Sequence, residues 1–370
     1  MKVIIVGGGV QGLCTAEYLS ALPGTTLTLI EQYEPLHPHG SSHGHTRITR
    51  STYADPLYVE LMQYSHNVYW PEIEQRLRSR FIQPVDGCFF GPSSGTVQTY
   101  ISAIEQIGAN VSHLSLRQAR QQFPQFKFNY DDSILLDHTS GQIFAQKFIQ
   151  RLWETLKRRS VQIHANERVL HIDTDKLEVR TQHRTMNADK IVVCAGPWTA
   201  SLCPELQSHI QVVQQYVSYW KPSQNMPKFP VWVGLGYAHS ENWYGLPQSQ
   251  TEGFKIAKHR LIGSNGSMNN NNMCPKTEID AIRQWANEHL TFQLNNPINT
   301  ETCLYSVTKT EDFIIKPMTD NSDIICAAGF SGHGFKFGPL IARYIAALVT
   351  EKNTPKWFDM AQSRWGSVLC

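Results

Sequence analysis

An α/β fold is expected for this chain. One domain alternates strands and helices and is assembled from separated stretches of sequence; the other is a β-rich α+β domain threaded through it. Three observations predict it. The first sixty residues read as apolar run, glycines, helical pattern and second apolar run. The strand-then-glycine pattern VIIVGGG returns far downstream as IVVCAG and IICAAG. Between these, VVQQYVSYW, VWVGLGY and NWYGLP are rich in β-branched and aromatic residues, the composition of paired strands. With 370 residues, 41% of them hydrophobic and 17% charged, the chain holds enough apolar material for more than one core.

Lys2–Val6 is a short β-branched run and reads as a strand. Gly7, Gly9 and Gly12 follow as GxGxxG, and Val10, Leu13, Cys14 and Leu19 share one face of a helix that should end near Pro23. A second strand, Thr26–Ile30, runs into Glu31, 19 residues after Gly12. This is the Rossmann-like context in which the glycines have separate tasks. The first makes the turn, the second lets backbone approach a pyrophosphate, and the third lets helix and strand pack closely. The helix N-terminus offers N–H groups and a positive dipole end to phosphates, and Glu31 can accept hydrogen bonds from a ribose diol. The fingerprint alone does not separate NAD from FAD.

HPHGSSHGHTRITR, residues 37–50, carries four histidines and then Arg47 and Arg50. Metal ligands need a rigid element with carboxylate support, and Pro38, Gly40 and Gly44 argue against one, so no metal is expected. The small residues Gly40, Ser41, Ser42 and Gly44 suit close backbone approach to a ligand. Further along, AQKFIQRLWETLKR (145–158) puts Phe148, Leu152 and Leu156 on one helix face, and Val161–His164 reads as the next strand. In GFKIAKHR, alternation sets Phe254 and Ile256 on one side of a strand and Lys255 and Ala257 on the other. Pro339 stands where a helix N1 residue would, ahead of IARYIAALV. Residues 264–272 read as a mobile loop near a pocket mouth. No internal repeat is found.

Several function classes are disfavoured. Net charge is +2 with no polybasic run, so no nucleic-acid partner is expected. No window reaches ~18 consecutive apolar residues, so no membrane span is expected, and MKVIIVGGG is too short for a signal-peptide core. The last residues are not a peroxisomal Ser-Lys-Leu address. Cysteines 14, 88, 194, 203, 274, 303, 326 and 370 include no CxxC pair, which disfavours zinc, iron–sulfur and disulfide scaffolds and suits a reduced cytoplasm. A monomer is the default.

GSSHGHTRITR resembles the flavin loop of the monomeric sarcosine oxidase family, which includes N-methyltryptophan and pipecolate oxidases. The other motifs follow in order: IVVCAGPW (191–198), WYGLP (243–247) with Lys255 and His259 after it, CLYSVTKTEDFII (303–315) and AAGFSGHGFKFGP (327–339). The resemblance spans nearly the whole chain, and the last block is its most specific part. It implies FAD, a small amino acid substrate with a free carboxylate, and molecular oxygen. By position it implies flavin contacts at His43 and Arg47, a covalent flavin thiol at Cys303, and a carboxylate-binding pair at Arg50 and Lys336. It also implies an oxygen-activating lysine at Lys255 and active-site side chains at Tyr244, Tyr305 and His259. Ser41, Gly332 and Gly334 join the cofactor-binding set, with Val169 against the adenine. His37, His39 and His45 are expected to be bystanders. One departure is that His45 replaces the aspartate sarcosine oxidases carry before the Thr-Arg pair, so this loop differs electrostatically.

The implied architecture is an FAD-binding domain at 1–82, 144–208 and 309–370, and a substrate domain at 83–143 and 209–308. The implied reaction moves a hydride equivalent from the carbon beside an amine nitrogen to flavin N5, giving imine and hydrogen peroxide. The cofactor does the redox work while the protein supplies placement and charge. The helix after Gly338 would turn its N-terminus toward the ring edge where negative charge develops. Cys303 would need a locally positive, accessible setting to attack the ring methyl as a thiolate. An amine dehydrogenase with another acceptor and a flavin-binding sensor without turnover remain as alternatives. Sarcosine, N-methyltryptophan, pipecolate, proline and glycated amino acids all fit the carboxylate clamp.

Overall fold

Strand Lys2–Val6 sits inside a six-stranded sheet ordered Ile314–Pro317, Ile324–Ala328, Lys190–Val193, Lys2–Val6, Thr26–Ile30, Gln162–His164. All neighbours run parallel except Ile314–Pro317, which returns antiparallel on the edge. A computed structural model describes the chain except residues 222–227, 238–240, 250–252, 260–273, 320, 353 and 368–370. The loop expected at 264–272 lies outside the described residues.

Side chains alternate across this sheet. Val3, Ile5, Leu27 and Leu29 pack into one core with helices Val10–Leu19, Ala145–Arg158 and Gly338–Thr350. Ile4, Val6, Ile30 and Val193 pack into another, under the antiparallel meander Val169–Asp173, Glu178–Thr181, Thr185–Asn187. Burial on both faces is why the central strands read as unbroken apolar runs. Helix Val10–Leu19 departs from the one-faced reading: nine of its ten residues are buried, Glu17 among them. It is enclosed between sheet and helices, and Glu17 is accommodated because Arg76 and Arg159 reach it at 2.6 and 3.1 Å.

The β-rich part is an eight-stranded sheet ordered Asn299–Val307, Gln211–Trp220, Gly253–His259, Glu241–Ser249, Val231–Tyr237, Gly87–Pro92, Asp132–Asp137, Val111–Leu114. Its outer face holds Trp220, Trp232, Trp243, Phe254 and Ile256 against helix Lys276–His289, with Trp285 stacked 4.8 Å from Trp232. A small sheet of Thr46–Thr49, Gly141–Phe144 and Ile82–Pro84 straddles the crossings between the two parts of the chain. No helix among the described residues is long and apolar enough to cross a membrane.

Candidate functional site

A cavity of about 710 Å³ runs from the glycine fingerprint to the inner face of the eight-stranded sheet. It brings together residues drawn from many separated stretches of chain, from Val6 to Lys336. Of the predicted site residues only Gly12 is not in its wall. A Cβ on Gly12 would stand 1.9 Å from the Gly7 carbonyl oxygen, so its task is helix–strand packing. Gly7 has φ +107, and a Cβ there would meet the Cys194 carbonyl oxygen at 2.3 Å. Gly9 is lined only by Ser42 Oγ, 3.1 Å from its Cβ position.

Glu31 ends its strand buried. Its carboxylate accepts from the Gly8 N–H at 2.6 Å and the Tyr33 N–H at 2.9 Å. His37 Nε2 lies 3.4 Å from the same carboxylate, and its ring stacks on His39. His37 is therefore part of the cavity wall, correcting its expected bystander role; the tight turn after Pro35 folds it back onto Glu31. His45 is exposed at the cavity wall. No cluster of His, Cys, Asp or Glu suited to a metal occurs among the described residues. Val169, the first residue of its strand, also lines the cavity.

The loop at 40–50 is pinned from several sides. Arg47 donates to the carbonyls of Ser41 at 3.0 Å, His43 at 2.5 Å and Thr46 at 2.8 Å, with its guanidinium 5.4 Å from the Phe335 ring centre. Ser41 Oγ donates to the Leu304 carbonyl, and His43 Nε2 meets the Thr302 carbonyl at 2.9 Å. These bonds hold the loop against strand Asn299–Val307, whose Cys303 faces the cavity partly exposed. Burial pushes the Cys303 thiol pKa up, while Arg47 and Lys255 pull it down. Lys255 is buried, and Phe254 and Ile256 occupy the Trp-rich core on the opposite face, as the alternation requires. Its Nζ is 5.8 Å from the Tyr219 ring centre.

Burial pushes the Tyr244 phenol up to about 12 and also holds the Tyr305 phenol well above its ordinary value. The Tyr305 ring lies 5.7 Å from His259, whose Nε2 is 3.7 Å from Glu311. Gly332, at φ +78, lets that ring come close: a Cβ there would stand 2.1 Å from it. Gly334 is packed under Phe330 and offers its carbonyl to Gln11 Nε2 at 2.9 Å, joining the early fingerprint to the late motif.

Arg50 lies 4.5 Å over the Tyr53 ring, with Phe89 and Tyr100 beyond, and donates to the Thr52 carbonyl. Lys336 Nζ is 3.0 Å from Tyr53 Oη and 3.2 Å from the His333 carbonyl oxygen. Its own carbonyl accepts from Trp70 Nε1 at 2.8 Å and Ser65 Oγ at 3.2 Å. Ser65 begins a π-helical turn, Ser65–Tyr69. Burial, then Arg50 and Arg47, hold the Lys336 amine well below its ordinary pKa. Among the described residues no carboxylate pairs with Arg50 or Lys336. The helix starts where expected, at Gly338 with Pro339 in its first turn, directly after a tight 3₁₀ turn, Gly334–Phe337, but that start does not line the cavity. Gly338 and Pro339 lie outside the cavity wall, Gly338 against Val10 and Cys14 of the first helix.

Sequence reasoning missed Tyr53, His333, Gln11 and the Ser65–Trp70 support. Gln11 had a signal, as a polar residue in the first turn of an otherwise apolar helix. The others had none beyond proximity to a named cation. Three cavity residues, Gln11, His43 and Ser306, carry buried polar atoms without a protein partner. With the glycine cradle, Glu31 and the inward cations, this donor and acceptor set fits a dinucleotide bearing a polar tricyclic ring.

The comparisons agree. The FAD dependent oxidoreductase family (DAO) matches residues 2–348. The chain is 29% identical to the peroxisomal sarcosine oxidase of Mus musculus, over 98% of this chain and 94% of that protein. It is 28% identical to the monomeric sarcosine oxidase of Streptomyces avermitilis, over 95% and 94%. The solved structure of NikD, an unusual amino acid oxidase of nikkomycin biosynthesis, superposes with TM-score 0.81 at 20% identity, over 96% of this chain and 95% of that one. The shared motifs, the fold and the cavity thus lead to one assignment: the chain belongs to the FAD dependent oxidoreductase family.

Proposed function

We propose that this protein is an FAD-dependent oxidase of secondary or N-methyl amino acids, forming imine and hydrogen peroxide. The observation that carries the reading is the pair Arg50 and Lys336. These two basic side chains line the same cavity as the glycine fingerprint and have no carboxylate partner among the described residues. Basic groups partly or wholly withdrawn from water without a counter-ion favour an anionic ligand, and an amino acid supplies one. When bound, FAD accepts the hydride equivalent from the carbon beside nitrogen and returns the electrons to molecular oxygen.

The remaining roles belong to this chain's side chains. Gly7, Gly9 and Gly12 with Glu31, Ser41, Val169, Gly332 and Gly334 form the cofactor cradle, and His43 and Arg47 brace it. Arg50 forks onto the substrate carboxylate and Lys336 adds a point charge. Holding the substrate in a near-attack pose can lower the barrier by about 7 kcal/mol at the favourable end. Lys255 supplies positive charge where oxygen is reduced. Tyr244, Tyr305 and His259 cap the pocket, and the surrounding cations favour the neutral amine that oxidation requires. Cys303, partly exposed in the cavity wall on strand Asn299–Val307, would be the residue to carry a covalent link to the flavin. We assign residues 1–82, 144–208 and 309–370 to FAD binding and 83–143 and 209–308 to the substrate domain. A monomer in the reduced cytoplasm is the proposed state, consistent with the seven free thiols among the described residues.

The test is spectral titration of the yellow protein with small carboxylates, for the parent and for Arg50→Ala. The parent should show a flavin shift that the variant loses while retaining FAD. Absence of any shift in the parent would count against the enzyme reading. Acid precipitation tests the covalent link: a yellow pellet supports it, and flavin wholly in the supernatant opposes it. Rapid bleach recovery in air is expected of an oxidase; recovery over minutes would favour a dehydrogenase.

A further inference from the structure

Lys336 has too few partners for a permanent ammonium ion and a better set for a neutral amine. Its side chain is 6% exposed. Arg50 and Arg47 add positive potential from the early loop. His66, on the π-helical turn, is held neutral by burial, as is His333 on the lysine's own turn. Asp137 is committed elsewhere, to the Ser51 and Thr52 N–H groups at 2.8 and 2.9 Å and the Thr52 hydroxyl at 2.8 Å. Glu311 turns its carboxylate to His259.

The hydrogen bonds around Lys336 can be satisfied in two ways. His333 Nε2 is 3.0 Å from the Glu311 carbonyl oxygen. A carbonyl only accepts, so Nε2 carries the proton and Nδ1 presents a lone pair. That lone pair lies 3.5 Å from Tyr53 Oη, and Lys336 Nζ lies 3.0 Å from the same oxygen. In one arrangement the Tyr53 hydroxyl donates to a neutral Nζ, which donates to the His333 carbonyl. In the other an ammonium donates to both Tyr53 Oη and the His333 carbonyl, its third N–H is free for a ligand, and the Tyr53 hydroxyl turns to His333 Nδ1.

We infer that Lys336 waits in the clamp as a neutral amine and gains a proton as a carboxylate binds, the Tyr53 hydroxyl reversing its hydrogen bond between the two states. This rests on the carboxylate clamp proposed above. The lysine burial that disfavours a lone charge ceases to do so once an anion arrives beside it. One N–H bond forms on Nζ and no electrons move. For a simple carboxylate the proton comes from solvent. For a zwitterionic amino acid the substrate's own ammonium is a nearer source, and giving it up leaves the neutral amine. Tyr53 is thus a positioning residue, acting through Lys336.

The test uses the FAD-loaded enzyme and acetate, with binding read from the flavin spectrum and protons from an indicator dye in weak buffer between about pH 7 and 9. About one proton should be taken up per acetate bound by the parent. Lys336→Arg, charged throughout, should take up none at whatever affinity it retains. Acetate binding to the parent without proton uptake would overturn the inference and leave the clamp standing. No spectral response of the parent to acetate or larger carboxylates would overturn clamp and inference together. Tyr53→Phe keeps the ring beneath Arg50 and removes only the hydroxyl. Acetate should bind about tenfold more weakly with the flavin spectrum unchanged, and unaltered affinity would remove Tyr53 from the switch.

Discussion

His43 reaches the backbone of a strand 259 residues later, its Nε2 lying 2.9 Å from the Thr302 carbonyl oxygen. Because the carbonyl must accept, Nε2 carries the hydrogen and Nδ1 is left as a buried acceptor without a protein partner. Burial and Arg47 lower the His43 pKa to about 4, so the ring is neutral in its working range. With the bond from Ser41 Oγ to the Leu304 carbonyl, the His43 bond fixes the early loop beside Cys303. His43→Ala should slow FAD incorporation into flavin-free protein and weaken FAD retention by about tenfold. Flavin-to-protein ratios after gel filtration check it; an unchanged ratio and rate would show that the loop is held without His43.

Two glycines of the fingerprint should respond differently to a methyl group. Gly12→Ala drives a Cβ into the Gly7 carbonyl, backbone against backbone. It should destabilise even the flavin-free protein by about 3 kcal/mol. Gly9 has an ordinary φ of −75, and its Cβ position meets only Ser42 Oγ. Gly9→Ala should melt within about 2 °C of the parent but bind FAD more weakly, since the methyl occupies the approach of the pyrophosphate. Equal melting of the two variants would contradict this division.

Glu17 is 1% exposed, with Arg76 and Arg159 on its two oxygens. Glu17→Gln leaves Arg159 without its counter-charge and Arg76 with only Glu72, at 3.4 Å. Removing one partner of a wholly buried pair costs about 3–5 kcal/mol. Here the arginines remain 24% and 29% exposed and water can replace part of the loss, so about 2 kcal/mol is expected. Urea unfolding of parent and variant measures it, and coincident curves would show that the ion pairs contribute nothing net.

Acid should destabilise the fold in a defined window. The pKa values of His43 and His66 are lowered by burial to about 4 from 6.5. Between those values the unfolded chain binds protons that the folded chain refuses. The stability from neutral burial is complete above 6.5 and is lost as pH falls toward 4. Melting temperature should decline across that window, and more shallowly in His66→Gln, which removes one titrating ring. Parallel slopes for parent and variant would exclude His66.

Periodicity made the six-stranded sheet legible, because apolar runs ending in glycine mark central parallel strands. The alternation in GFKIAKHR likewise put Lys255 opposite Phe254 and Ile256, without saying whether that face met water or a cavity; it meets the cavity. Val10, Leu13, Cys14 and Leu19 of the early helix share one core as their spacing implies, but burial of the rest of the helix had no sequence mark, since Glu17 is accommodated by Arg76 and Arg159 from elsewhere in the chain. The cations Arg50 and Lys336 were found through motif resemblance. Tyr53, which joins them, was not: a tyrosine three residues from an arginine has no local signature. His37 was set aside as a bystander for the same reason, its partner Glu31 being set by a turn rather than by spacing. Pro339 marked the start of the last long helix correctly, but the sequence carries no sign that this start packs against Val10 and Cys14 rather than lining the cavity.

The central claim is that the cavity oxidises an amine held by its carboxylate. Anaerobic bleaching of the flavin by a panel of secondary and N-methyl amino acids, each paired with its amide, tests it most directly. At least one amino acid should bleach the parent rapidly while its amide does not, and Arg50→Ala should abolish the difference. Bleaching at equal rates by acid and amide, or by no member of the panel, would contradict the account.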